Sequence, residues 1–287
     1  MNVVSLFNGM NTGRQALENV GIKVDKYYSS EIKPCAIELT QYHFPDTIQV
    51  GDVTKWREWD IDWSKIDLIL SGSPCQDLSS IGKGAGLNGN KSSLFFVFIE
   101  ILNHIKKLNP NVIFLQENVA SARKEDIGIM SQELGLYPCR INSCLVTAQL
   151  RDRYYWSNVR TKESMFDIVT DIPQPRDRKI NFNDVITDGK SPREKSKCLI
   201  ERRSFCYTDE FSENAQRFLR TREKFGVIVI HLENGLMRTV NKVEMCRLQG
   251  FPDDYCDILN EDKAQSLLGD GWTLPIIEHI FEFIKKA

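Results

Sequence analysis

The hexapeptide Ser71-Gly72-Ser73-Pro74-Cys75-Gln76 combines a thiol with the means to place it. A cysteine thiolate is an intrinsically strong nucleophile. The run Ile66-Asp67-Leu68-Ile69-Leu70 reads as a buried strand. Small residues and a proline follow it, so the backbone must turn sharply there. Cys75 then stands at the carboxyl end of a central strand, the edge where open α/β sheets bind ligands. Gly82, Gly84, Gly86 and Gly89, with Ser79 and Ser80, follow as a loop able to close over a substrate. Taken singly, a cysteine is usually a small buried hydrophobe; the Pro-Cys step after a strand and the glycine-rich loop behind it bring the two readings level. The rest of the chain decides between the two.

Carboxylates occupy equivalent places after other predicted strands. Glu31 follows a strand at 26–30, Asp52 follows one at 47–50, and Glu117 follows one at 111–116. Strands 66–70 and 111–116 would lie about 4.8 Å apart if paired. That pairing puts Glu117 beside Cys75, a nucleophile and an acid in one cleft. An acidic residue ending the second strand suits ribose hydroxyls, and a solvated loop carboxylate is the alternative. Along Gln149-Leu150-Arg151-Asp152-Arg153, alternation places Gln149, Arg151 and Arg153 on one face. Two guanidiniums on one side suit an anion or a polarised carbonyl. A surface charge stripe is the competing reading.

The elements that must position these groups alternate regularly. A strand at 2–7 enters the turn Asn8-Gly9-Met10-Asn11-Thr12-Gly13, and a helix follows with Ala16, Leu17 and Val20 on one face. Strand, glycine turn and helix form a nucleotide-type binding unit, although the spacing is not GxGxxG. A helix spans 34–43. Leu94, Phe98, Ile101, Ile105 and Leu108 recur at helical spacing and are expected in the core. A helix at 125–134 and strands within 137–146 come next. Gly89-Asn90-Lys91-Ser92 lacks the glycine before lysine that a phosphate loop needs.

From 162 to 229 the alternation dissolves. Pro173, Pro175 and Pro192 interrupt it, and basic residues cluster at 176–179, at Arg202 and Arg203, and at Arg220 and Arg222. Residues 174–224 hold 13 Lys and Arg against 9 Asp and Glu, so this stretch is +4 while the whole chain is −2. Local charge, not the total, marks a nucleic-acid surface. We therefore divide the chain into a first catalytic part at 1–161, a small inserted domain at 162–229, and a closing catalytic part at 230–287. The eight cysteines form no CxxC pair, and Cys139 and Cys144 have no histidines at metal-ligand spacing. This predicts reduced thiols, no metal site and a cytoplasmic setting. No apolar run reaches bilayer length, and the N-terminus lacks the features of a signal peptide.

Several short motifs stand in one order: Phe7-Asn8-Gly9, Gly51-Asp52-Val53, Ser73-Pro74-Cys75-Gln76, Glu117-Asn118-Val119, Gln149-Leu150-Arg151-Asp152-Arg153, the run from Arg238 through Glu244 to Arg247-Leu248-Gln249-Gly250-Phe251-Pro252, and Gly269-Asp270-Gly271-Trp272. In this order and spacing the chain resembles the DNA (cytosine-5) methyltransferases over about three quarters of its length. It looks most like the vertebrate de novo branch and related bacterial or phage enzymes. Asp270 stands where the family often has Asn, a departure that the de novo branch shares.

The resemblance implies an α/β fold, a Rossmann-like S-adenosylmethionine-dependent methyltransferase sheet with helices on both faces, plus a small target-recognition insert. It implies S-adenosyl-L-methionine as cofactor, held by Phe7, Asn8, Gly9, Glu31, Ile32, Asp52, Val53, Ser73, Pro74, Gly271 and Trp272. Cys75 would attack C6 of a flipped-out cytosine, and Glu117 would hold the N3 and N4 edge. Asn118, Arg151 and Arg153 would complete the catalytic set. Gln76, Ser79, Ser80, Arg202, Arg203, Arg220 and Arg222 would contact double-stranded DNA. No membrane or metal partner is implied, and both a cognate restriction enzyme and a solitary phage-type enzyme stay open.

Three other readings compete. A tRNA cytosine methyltransferase would carry a Cys-Phe-Thr signature, which this chain does not have. A non-catalytic DNA-binding homologue would lack the cysteine or the glutamate, and both are present. A nicotinamide dehydrogenase would carry GxGxxG.

Overall fold

The computed structural model describes residues 1–74, 94–165, 167–200, 211–223 and 228–286. The chain divides into two compact units: Met1–Ile141 with Asp152–Gln174 and Ile277–Ala287, and Asn142–Arg151 with Pro175–Ile276.

The first unit is built on one sheet. Its strands are β1 (Asn2–Leu6), β2 (Lys26–Ser30), β3 (Ile48–Gln49), β4 (Leu68–Ser71), β5 (Ile113–Val119), β6 (Cys139–Asn142) and β7 (Asp152–Ser157). Their spatial order is β3-β2-β1-β4-β5-β7-β6. The first five run parallel and β7 pairs antiparallel to β5. From β1 the chain builds outward to β2 and β3, then returns to β4 on the other side. The carboxyl ends of β1 and β4 therefore flank the switch point, where such sheets open a crevice. The first ends in Phe7-Asn8-Gly9 and the second in Ser73-Pro74.

Helices cover both faces. Alternation sends Val4, Leu6, Tyr28, Ile69 and Phe114 to one side, where they pack with Phe95, Phe98, Ile101 and Ile105 of α3 (Leu94–Leu108) and Met130 and Leu134 of α4 (Lys124–Leu134). Leu108, expected in the core, is instead exposed, because α3 ends there and the last turn leaves the sheet. The opposite face meets α1 (Thr12–Asn19) and α2 (Pro34–His43). A Cβ on Gly13 would come within 2.4 Å of Leu70 Cδ1, so only glycine lets α1 approach β4 this closely.

The short pair β8 (Thr161–Glu163) and β9 (Ile168–Thr170) stays with the first unit. Tyr137 N–H donates to Ile168 O, and Ser157 N–H donates to Thr170 Oγ1. The second unit holds α5 (Glu213–Arg222), the hairpin of β10 (Ile230–His231) and β11 (Met237–Arg238), α6 (Lys242–Gln249) and α7 (Glu261–Asp270). Spatial division thus departs from the boundaries read at 162 and 229. Residues 162–174 hydrogen-bond to the sheet unit, while α6 and α7 pack on each other beside 142–151.

Candidate active site

The turn after β1 folds tightly. Phe7, Gly9 and Asn11 adopt φ of 54°, 55° and 62°, so alternate residues are left-handed. Asn8 N–H donates to Ser30 O at 3.1 Å, tying the turn to β2. The Asn8 side chain faces inward: its Nδ2 donates to Thr40 Oγ1 at 3.4 Å and its Oδ1 accepts from Tyr27 Oη at 3.2 Å. Asn8 therefore braces the turn, and its carboxamide is engaged within the protein.

Glu31 is engaged by the backbone. Oε2 accepts from Gly9 N–H at 2.7 Å, and Oε1 accepts from Ile32 and Lys33 N–H at 2.8 and 2.9 Å. One carboxylate thus joins the β1 turn to the start of α2. Each carboxylate oxygen offers about two lone pairs, so Oε2 keeps capacity for a ligand hydroxyl. Ile32 beside it is 72% exposed, an apolar surface at the same edge. Asp52 caps the 3-10 turn Val53–Glu58, accepting at Oδ1 from Thr54 N–H and Oγ1, both at 2.9 Å. Those two bonds hold its carboxyl below the usual range. Val53 is buried in the core, which orients Asp52 outward.

At the adjoining edge, Glu117 and Arg153 form an ion pair at 2.9 Å, with side chains only 11% and 13% exposed. The register explains it. Val119 faces Arg153 and Glu117 faces Tyr155, so the two charges are diagonal neighbours on one face. Arg153 Nη1 also donates to Asp152 O. Ser73 Oγ accepts from Gln116 Nε2 at 3.0 Å and from Asn118 Nδ2 at 3.5 Å, which keeps the segment after β4 alongside β5. Pro74 is half-buried next to it. Cys75, Gln76, Ser79, Ser80 and the glycine loop lie outside the described residues.

Arg151 and Arg153 fall in different compact units. Arg151 belongs to the second unit, where it is 3% exposed. Its Nη2 donates to Gly269 O and Gly271 O at 3.0 and 2.8 Å, and its Nη1 to Leu199 O at 3.2 Å and Cys198 Sγ at 3.1 Å. The expected shared face of Gln149, Arg151 and Arg153 fails because β7 begins only at Asp152. The residues before it belong to a buried node. Gln149 bridges Leu248 O and Leu199 N–H. Gln249 donates to Leu268 O and Gly271 O and accepts from Thr273, which in turn accepts from Ser143. Gly271 is therefore held through its carbonyl, and half-buried Trp272 follows it.

Sequence reasoning gave Gln149 and Gln249 no roles, although both lie inside quoted motifs. It missed Thr187, whose N–H and Oγ1 donate to Glu244, the partner of buried Arg238. No local pattern marks Thr187. Of the basic pairs, Arg220 is exposed on α5 and Arg222 ends that helix, while Arg202 and Arg203 lie outside the described residues. Gln216 fixes α5 to β11 by a paired exchange with the Met237 backbone.

Burial pushes the Cys139 thiol up to about 12, which removes it as a competing nucleophile at neutral pH. Among the described residues no cluster of three or more His, Cys, Asp or Glu could hold a metal, and no helix is long and apolar enough to cross a membrane.

A family model described as C-5 cytosine-specific DNA methylase matches residues 1–216. The chain is 28% identical to the type II methyltransferase M1.ScrFI of Lactococcus lactis subsp. cremoris, covering 98% of this chain and 77% of that one. It is 31% identical to the orphan methyltransferase M.Rho11sI of Bacillus phage rho11s, covering 56% of this chain and 33% of that protein. Among solved structures it is similar to the Entamoeba histolytica methyltransferase EhMeth, with TM-score 0.67 at 13% identity over 100% of this chain and 98% of that one. It is also similar to S. pombe Dnmt2, with TM-score 0.63 at 15% identity over 100% and 98%. At such identities the likeness establishes the fold.

Proposed function

Because the chain belongs to the C-5 cytosine-specific DNA methylase family, we propose that it methylates C5 of cytosine in double-stranded DNA, using S-adenosylmethionine and a covalent Cys75 adduct. The observation that carries this reading is the Glu117–Arg153 pair, set beside the strand end that leads to Cys75. C5 of cytosine is a weak nucleophile. Attack at C6 forms an S–C6 bond and moves electron density to C5, which is why a thiolate is required. Glu117 would hold the N3 and N4 edge of the base, and Arg153 fixes the Glu117 carboxylate from the side. Once C5 carries the methyl group, loss of its proton returns the electron pair to the ring, breaks the S–C6 bond and frees the enzyme. The target atom is inaccessible inside a duplex, so the base must be flipped out.

The residues at the switch point fit the cofactor. Glu31 Oε2 retains capacity for a ribose hydroxyl, Asp52 Oδ2 has an open lone pair for an amine, and Phe7 with exposed Ile32 supplies apolar walls. Gly9 and the other turn residues would line the same pocket, and Ser73 and Pro74 would border it. Gly271 and Trp272 are further proposed cofactor contacts. Bound there, S-adenosylmethionine would supply the methyl group that C5 takes. The second unit would read a short DNA sequence with its basic residues, Arg202, Arg203, Arg220 and Arg222 among them.

Random-sequence duplex DNA carrying 5-fluorocytosine tests the chemistry, since fluorine does not leave C5 as a proton does. A denaturation-resistant protein–DNA adduct is expected only with S-adenosylmethionine present and Cys75 intact. No adduct from otherwise active enzyme would sink the covalent route. An adduct on fluorinated tRNA alone would move the substrate to RNA.

A further inference from the structure

Gln116 is fully buried in the middle of β5, on the face that carries Phe114 and opposite Trp156. A strand position facing an apolar core ordinarily holds an apolar residue, and burying an amide there costs free energy unless it is hydrogen-bonded. Half of this amide is not. Among the described residues Gln116 Oε1 has no partner, and neither does Oγ of Ser71, its register neighbour on β4. The other half makes two bonds. Nε2 donates to Ser73 Oγ at 3.0 Å and to the Glu117 carbonyl at 2.7 Å.

Those two acceptors are what β4 and β5 present to the site. Ser73 lies two residues before Cys75, and Glu117 is the acid. The β4–β5 ladder ends at the pair Ser71 and Gln116. Beyond it, among the described residues, no ladder fixes the strand ends against one another, and the Gln116 NH₂ group takes that place. Asn118 adds only a longer contact of 3.5 Å to the same hydroxyl.

We propose that Gln116 is a positioning residue for methyl transfer: its amide clips the segment bearing Cys75 to the backbone of Glu117 and sets the approach of the thiol to the base. It rests on the reading of Cys75 as nucleophile and Glu117 as base-holder. The bond partners predict how it acts. Gln116→Leu keeps the bulk and removes both donors. Ser73→Ala removes only the accepting hydroxyl. If the clip works through Ser73, the two changes report one interaction and their effects do not add.

The test measures kcat and the KM for DNA on DNA from a methylation-deficient strain, S-adenosylmethionine affinity by calorimetry, and the melting temperature. For Gln116→Leu, Ser73→Ala and the double variant, kcat should fall roughly 100-fold, the scale of a misplaced reacting group. For Gln116→Leu cofactor affinity and KM should stay within about twofold, and the kcat of the double variant should match that of the single ones. Folded Gln116→Leu with kcat near wild type overturns the proposal, as do losses that multiply in the double variant. If Gln116→Leu does not fold, Ser73→Ala decides alone: an unchanged kcat overturns the clip. Cys75→Ala separates the two levels. Active Cys75→Ala would remove the underlying reading, whereas inactive Cys75→Ala beside fully active Gln116→Leu removes only the positioning role.

Discussion

Arg151 and Arg153 stand two apart, and the residue between them begins a strand. Arg153 serves the acid at the sheet edge. Arg151 gathers the carbonyls of Leu199, Gly269 and Gly271 in the other unit. Arg151→Met should therefore cost about 3 kcal/mol of stability, because it strands buried acceptors. Thermal unfolding measures the loss, and unchanged stability would show that water replaces the guanidinium. Glu31 allows the complementary experiment. Glu31→Ala frees the N–H groups of Gly9, Ile32 and Lys33 and should weaken S-adenosylmethionine binding by about 1–3 kcal/mol. Equal affinity by calorimetry would place the cofactor elsewhere. At this scale the residue types were legible, since carboxylates at strand ends are visible in the chain. Their partners were not. Alternation assigns a face only inside a strand, and nothing in Gln149-Leu150-Arg151 announces that β7 begins after it.

The elements of the sheet unit were the most legible part. The strand at 26–30 and the helix at 34–43 coincide with β2 and α2, because apolar periodicity and Pro34 mark their limits. The second unit was harder to read, since its order comes from polar contacts between distant segments. Helix α6 shows this. Asn241 and Glu244 form a capping box, and Glu244 also takes Arg238 and Thr187. Burial alone would raise the Glu244 carboxyl, but the bonds from Arg238 and from the Thr187 and Asn241 N–H groups outweigh it and leave the carboxyl lowered. A lowered carboxyl stabilises the fold above its unfolded-state value and loses that contribution as pH falls through the folded value. Glu244→Gln should thus flatten the acid limb of melting temperature against pH while lowering stability at neutral pH. An acid limb as steep as wild type would assign the pH dependence to other groups. At the other end of α6, Gly250 has φ of 79°, and a Cβ there would lie 2.3 Å from Pro275 Cδ. Gly250→Ala should cost about 2 kcal/mol in denaturant unfolding.

At the scale of the molecule, the net charge of −2 conceals a basic stretch. Each phosphate neutralised by a cation contributes about −0.9 to the slope of log affinity against log salt. Reversing Arg220 and Arg222 together should make that slope shallower by about two if both reach phosphate, with cofactor affinity unchanged. A slope equal to wild type, measured by fluorescence anisotropy, would assign the pair to solvated surface. The two units also interleave along the chain: 142–151 belongs with 175–276, and the sheet unit takes back Ile277 onward.

That interleaving gives Arg151 a history during synthesis. Its acceptors Gly269 and Gly271 follow it by 118 and 120 residues. A ribosome adding about 5–20 residues per second delivers them roughly 6–24 s later. Throughout that interval the guanidinium and the ring of carbonyls it will gather belong to an unfinished nascent chain. The second unit therefore closes only once residue 271 has been made, and premature termination anywhere before residue 269 releases a chain whose central cation has lost its principal acceptors.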